Sequence, residues 1–147
     1  MILTAALTVL ADQICKYKVN EGIKEGEYKE IVKDKFYLTN MKNKGMAMGS
    51  FSDNRRLVVV GSVLSMLVVA FMWHDALKHN RGELHKIAVA LVAGGGISNV
   101  YDRIAKGGVT DYLYVKGKKA KAPVFNIADV AVLLGALVSL VDFIRSR

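Results

Sequence analysis

The sequence reads as a mainly α integral membrane protein: a bundle of four transmembrane helices with a small β-sheet at the membrane surface. Three observations point there. Hydrophobic residues make up 52% of the 147 and charged residues 23%, and the two classes are segregated along the chain. Four stretches are nearly free of charge: Met1–Ala11, Leu57–Trp73, Ile87–Tyr101 and Ala122–Val141, the last interrupted by Asp129 alone. Their apolar residues run all round the helix, with no polar stripe at period 3.6. A bilayer needs about 20 such residues, within a range of about 17–25. Four buried core helices of a soluble protein would leave almost no amphipathic helix to cover them.

The first helix is expected over 1–17. No basic residue precedes its apolar run and no small-x-small pattern follows, so it reads as a retained helix and not a cleaved signal peptide. Asp12, Gln13 and Ile14 are also the wrong approach for lipid attachment at Cys15. Lys18–Phe51 is polar, and its Glu27–Asn43 portion is rich in β-formers, which predicts a small surface sheet. The second helix, 56–74, carries Gly61 and Ser65 four apart, a spacing that lets backbones approach. Asp75–His85 is a short polar connection. The third helix, 86–104, holds Gly94, Gly95 and Gly96. Each would weaken a soluble helix by about 1 kcal/mol, so their use here is close contact. Val109–Val115 reads as a second short strand, and the fourth helix is expected over 123–144. No repeat or linker divides the chain, so 1–147 forms one membrane-embedded domain.

Several functions are poorly supported. Cys15 is the only cysteine, which rules out a disulfide framework. His74, His79 and His85 have no HExxH context and no cysteine partners, so no metal site is expected. No Ser stands in a GxSG-like setting, and no apolar segment offers an interior Lys for a Ser–Lys pair. The glycine triplet is not GxGxxG. The net charge is +8, but the cluster Lys116, Lys118, Lys119, Lys121 suits a solvated loop or lipid headgroups, and no nucleic acid partner is expected.

The informative residues are the polar ones near apolar helix. An ionisable group inside a membrane costs about 2.5–3.5 kcal/mol on insertion scales and so marks function. Here these are Asp12, Asp102 and Asp129, with Asn99, Arg103 and Asn126 beside them. Asn99 and Asp102 are i, i+3 and share a helix face, and Asn126 and Asp129 repeat the relation. Asp12 and Lys16, at i, i+4, form an ion pair, and Asp142 near Arg145 reads as interfacial. Periodicity alone pairs Asp102 with Asp129. Two carboxylates in a dry site share one proton, because like charges a few ångströms apart cannot both ionise. The ionised one takes a proton from water while the protonated one polarises a peptide carbonyl. That aspartic-protease chemistry needs no cofactor. The alternative is a small four-helix transport or scaffold protein in which Asp12, Asp102 and Asp129 form a proton or cation path. The polar groups gather toward one side of the bundle, which favours the enzyme. A YD…GxGD intramembrane protease is not matched, since no GxGD follows Tyr101-Asp102.

Four blocks, in order and nearly end to end, resemble lipoprotein signal peptidase, the bacterial type II signal peptidase. Asp12-Gln13-Ile14-Cys15-Lys16 is similar to its DQxxK block, and Asn43 through Gly49 to NxGxAxG. Gly94 through Arg103, continued by Gly107/Gly108-Val109-Thr110-Asp111-Tyr112, is similar to GGAxGNxxDRxxxGxVxDF. Phe125-Asn126-Ile127-Ala128-Asp129 is similar to FNxAD. Ser98 stands where the family usually has Gly, Gly96 where it often has Ala, and Tyr112 where it usually has Phe.

The resemblance implies a catalytic pair of Asp111 and Asp129, in place of the pairing that periodicity suggests. It makes Asp102 and Arg103 supporting residues. Asn43, Asn99, Arg103 and Asn126 would hold the pair and the substrate backbone. Gly45 and Ala47 would shape the nearby loop, Ala128 would belong to the same support, and Asp12 and Lys16 would be structural. It implies no cofactor or metal, and a multi-pass protein of the bacterial cytoplasmic membrane. The sheet would form an extracytoplasmic cradle, with the active site on that side. The substrates would be diacylglyceryl-modified prolipoproteins, cut just before the lipidated cysteine. The other partners would be membrane lipids and globomycin-type peptide inhibitors. Charge counting favours the opposite orientation. Seven Lys between Lys18 and Lys44 and five between Lys106 and Lys121 lie at the end the family places outside.

Overall fold

Helix α3 (Glu83–Tyr101) is the centre of the structure, a computed structural model that describes residues 1–46, 49–117 and 123–145. Around it stand α1 (Ile2–Gly22), α2 (Arg55–Lys78) and α4 (Ile127–Arg145). Strands β1 (Tyr28–Val32) and β2 (Phe36–Asn43) lie between α1 and α2, and β3 (Val109–Val115) and β4 (Val124–Phe125) between α3 and α4. The strands form one antiparallel sheet in the order β1-β2-β3-β4. The two predicted strand regions therefore meet, with Met41 opposite Asp111 and Asn43 opposite Val109. The edge strand β1 is exposed throughout and is held by Tyr28 edge-on to Tyr114 at 5.5 Å.

The helices are amphipathic in the reverse of the water-soluble sense. On α1, Leu3, Leu7, Leu10 and Ile14 face outward, while Ala5, Thr8, Asp12 and Lys16 face the bundle. On α2 the exposed residues include Leu64, Leu67 and Phe71, and on α4 Leu133, Leu137 and Leu140. Large apolar side chains left outside and small or polar ones packed inside describe a protein whose solvent is lipid. Two of the four helices, α2 and α4, are long and apolar enough to cross a membrane.

The glycine triplet makes the centre possible. A Cβ at Gly94 would fall on the Ala5 carbonyl and Thr8 of α1, and one at Gly95 on the Ala128 carbonyl of α4. Gly135 of α4 returns the contact against the Ala88 carbonyl. At Gly96 a Cβ would meet only the Met66 thioether, which is flexible. Gly95→Ala is therefore expected to lower stability by about 1–3 kcal/mol and to push α4 off α3. Gly96→Ala should be nearly neutral. Equal melting temperatures for the two variants in detergent would show that α4 retreats without cost.

Several boundaries differ from expectation. Helix α1 continues past 17 to Gly22, burying Val19 under the sheet end of the molecule. Helix α3 begins at Glu83 and ends at Tyr101, passing into a π-helical turn, Asp102–Lys106, closed by Gly107 at φ 72°. Helix α4 begins at Ile127 and not at 123, because Val124 and Phe125 are extended as β4 against Leu113 and Tyr114. Asp142, read as interfacial, is partly exposed near the end of α4 and lies 3.0 Å from His85 Nδ1 of α3. Ala47, Lys118, Lys119 and Lys121 lie outside the described residues.

Candidate active site

The N-terminus of α4 carries the first carboxylate. Asn126 caps the helix: its Oδ1 accepts the Asp129 N–H at 2.8 Å, and Asp129 Oδ2 accepts the Asn126 N–H at 3.2 Å. This reciprocal bond satisfies two of the N–H groups that every helix start leaves open, and it fixes the Asp129 side chain. The spacing Asn-x-x-Asp is the local signal for it. Asn99 of α3 donates from Nδ2 to the other oxygen of Asp129 at 2.8 Å.

Asp111, on β3, is the second carboxylate and is 4% exposed. Asn126 Nδ2 donates to its Oδ1 at 2.8 Å, and Asn43 Nδ2 to its Oδ2 at 3.1 Å. The Asn43 amide is oriented by the Gly45 N–H, which donates to its Oδ1 at 2.9 Å. Gly45 leaves no room for a Cβ against Gly49 and Ser50. Asn126 thus touches both acids, and each of the four carboxylate oxygens faces an N–H donor. Burial first, and then the charge of Asp129, raises the Asp111 carboxyl from 3.8 to about 6, against the lowering effect of the Asn43 and Asn126 bonds.

The pair lies at the sheet end of a cavity of about 690 Å³ that runs down between α2, α3 and α4. Asn43, Asn99, Arg103, Asp111 and Asp129 line its polar end, and Ser62, Gly96 and Ala136 are among the residues lining the rest. The volume is that of a ligand pocket. Arg103 donates from Nη2 to the Gly45 carbonyl at 3.3 Å, and its buried Nε has no partner among the described residues.

Asp102 does not join this pair, which corrects the pairing drawn from periodicity. Although next to Arg103 in sequence, it turns toward α1, where Lys16 Nζ lies 2.8 Å from its Oδ2. Lys106 Nζ, one turn on, lies 2.7 Å from Oδ1. Two cations and Gln13 Nε2 at 3.2 Å hold it there. The expected Asp12–Lys16 ion pair is present at 2.6 Å. Lys16 is nevertheless fully buried on an apolar helix, where no interior lysine was anticipated, and its neighbours are carboxylates and an amide rather than a serine. Asp12 also accepts from Ser98 Oγ at 2.5 Å and from the Ala128 N–H at 3.1 Å. Ala128 is fully buried, and its backbone carbonyl takes the space that a Cβ on Gly95 would need.

Gln13 and Tyr112 are the parts that motif reading missed. Gln13 bridges Ser98 and Asp102 and accepts from Lys106 at 2.9 Å. The Tyr112 hydroxyl accepts the Ile127 N–H at 3.2 Å, tying β3 to the start of α4. Both belong to the quoted blocks, and their polarity between apolar neighbours was the available signal. Among the described residues, no group of three His, Cys, Asp or Glu side chains is placed to hold a metal ion.

Comparison with known proteins agrees in extent as well as in motif. A family model described as signal peptidase (SPase) II matches residues 4–145. The lipoprotein signal peptidase of Halothermothrix orenii is 35% identical over 130 residues, 88% of this chain and 85% of that one. The corresponding protein of Halalkalibacterium halodurans is 32% identical over 146 residues, 99% and 92% of the two chains. In fold, the chain is similar to a bacterial membrane enzyme solved by the in meso method, with a TM-score of 0.86 and 23% identity, covering 98% of this chain and 87% of that one. A family match that starts on α1, ends on α4 and spans every residue around the two carboxylates settles the relationship: the chain belongs to the signal peptidase II family.

Proposed function

We propose that the protein is an aspartic endopeptidase that removes the signal peptide from prolipoproteins, with Asp111 and Asp129 as its catalytic pair. The observation that carries this is the donor pattern: two carboxylates from different elements share Asn126 and face one cavity, and each of their oxygens meets an N–H. Such a site suits two acids that share a single proton. The ionised acid takes a proton from water as its oxygen attacks the scissile carbonyl carbon. The protonated acid gives its proton to the carbonyl oxygen. As the C–N bond breaks, the first acid passes the water proton to the leaving amine and the gem-diol returns a proton to the second acid, which restores the pair. Arg103 and Asn43 are placed to receive the substrate backbone.

All four helices cross the membrane in this reading, with the outward leucines of α1, α2 and α4 against lipid. The substrate is a prolipoprotein whose cysteine already carries diacylglycerol, and globomycin-type peptides occupy the same cavity. The decisive experiment is incubation of purified protein with a diacylglyceryl-modified prolipoprotein. Cleavage before the modified cysteine, blocked by globomycin, is the expected result, and an intact substrate would overturn the reading.

The sheet and the cavity mouth are proposed to face outward from the cytoplasmic membrane. In a Cys15→Ser background, an impermeant thiol reagent applied to intact cells should label Lys29→Cys and spare Lys78→Cys. Both positions are exposed, Lys29 on β1 and Lys78 at the far end of α2. The reverse pattern would place the lysine-rich end inside, as charge counting has it.

A further inference from the structure

We propose that Lys16 is a positioning residue for the reaction: its ammonium group fixes the Asn99 amide so that Asn99 always presents an N–H to Asp129. This rests on the role given to Asp129 above. Lys16 lies outside the lining of the cavity and is fully buried, so it cannot touch substrate. Its ammonium nitrogen lies 2.6 Å from Asp12 and 2.8 Å from Asp102, and it donates to Asn99 Oδ1 at 2.9 Å.

The contact with Asp102 already staples α1 to the turn that follows α3, while the one with Asp12 stays within α1. Lys16 and Lys106 carry two positive charges and Asp12 and Asp102 two negative ones, so the cluster is balanced before Asn99 is reached. The third contact goes beyond the staple and leads straight to the cavity. Asn99 Nδ2 lies 2.8 Å from Asp129 Oδ1.

The two ends of a carboxamide are nearly the same size, so packing does not choose between them. The neighbours' hydrogen-bonding chemistry does. An ammonium group only donates, and a charge-assisted bond is about twice as strong as a neutral one. Facing Lys16, the amide must turn its oxygen inward and its NH₂ toward Asp129. Without Lys16, the remaining hold on that oxygen is Asn126 Nδ2 at 3.3 Å, which also serves Asp111 at 2.8 Å. A flipped amide would set its oxygen against the Asp129 carboxylate and force that side chain off its cap at Asn126.

The test is a cycle read in steady-state cleavage of a diacylglyceryl-modified substrate by protein reconstituted in lipid. Lys16→Met is the direct variant. Lys16→Met with Asp102→Asn, compared with Asp102→Asn alone, removes one cation and one anion and keeps the cluster balanced. Loss of Lys16 is expected to lower kcat by about 10- to 100-fold, the scale of a misplacement near 1 Å, with KM within about twofold. In an Asn99→Ala background the same change should lower kcat by less than about threefold, because the group through which Lys16 acts is already gone. An equal loss in both backgrounds would make Lys16 a staple only. So would an unchanged kcat with a lowered melting temperature, or a charge-balanced variant that still fails to fold. Turnover retained by Asp129→Asn would instead remove the carboxylate pair itself, whatever Lys16 does.

Discussion

Asp129→Asn and Asp111→Asn are each expected to reduce turnover to background, a loss of about four orders of magnitude, while the protein still folds in the membrane. Asparagine keeps the shape of aspartate but cannot take the proton from water or hold the shared one. Folding survives because each change spoils one hydrogen bond, where an NH₂ meets a donor from Asn99, Asn126 or Asn43. That costs about 1 kcal/mol. The double variant should be scarcely worse than either single one, since the two acids act as a unit. Chelators should leave the rate unchanged. Substantial cleavage by Asp129→Asn, or inactivation by chelation, would sink the aspartic mechanism.

The same pair sets a pH dependence whose sign is fixed by Asp111. Its carboxyl is raised from 3.8 to about 6, so between those values the folded protein holds a proton that the unfolded chain has released. Stability from this group is therefore full below about pH 4 and falls as pH rises toward 6. Activity needs one acid protonated, so the alkaline limb of the rate profile should follow Asp111 as part of the pair. Removing the neighbouring charge by Asp129→Asn should bring the Asp111 carboxyl below about 6. Carbon-detected titration of labelled aspartate would show it, and an unmoved midpoint would separate the two acids.

Much of this was legible in the residues. The charge-free stretches located four helices, and the β-formers of 27–43 and 109–115 located strands. What the pattern concealed was geometry set by neighbours. The period of an α-helix puts Asn99 and Asp102 on one face, yet the chain opens into a π turn at Asp102, and Lys16 and Lys106 draw that carboxylate toward α1. Asp111 looked like an ordinary strand acid. Only the pairing of β2 with β3 puts it beside Asn43, and only the Asn126 cap puts it beside Asp129. Resemblance to a family supplied that pairing where periodicity had not. The nearly charge-free run from Ala122 put the start of the fourth helix at 123. The edge of β3 instead draws Val124 and Phe125 into the sheet.

Asp102→Ala is expected to be among the most destabilising single changes in the protein. It would leave Lys16 and Lys106 with one carboxylate fewer between them, in a cluster where the Asp102 and Lys16 side chains are both fully buried. Breaking a buried pair on one side costs about 3–5 kcal/mol, because the other charge stays behind without compensation. Asp102→Asn should cost less, since its amide oxygen still accepts from one lysine. Its activity should fall in step with its stability, measured per folded molecule after reconstitution. The reason lies in the route of the damage: Asp102 touches neither the cavity nor the two acids, and reaches them only through Lys16 and Asn99. A fully stable but wholly inactive Asp102→Asn protein would contradict this and return Asp102 to the chemistry.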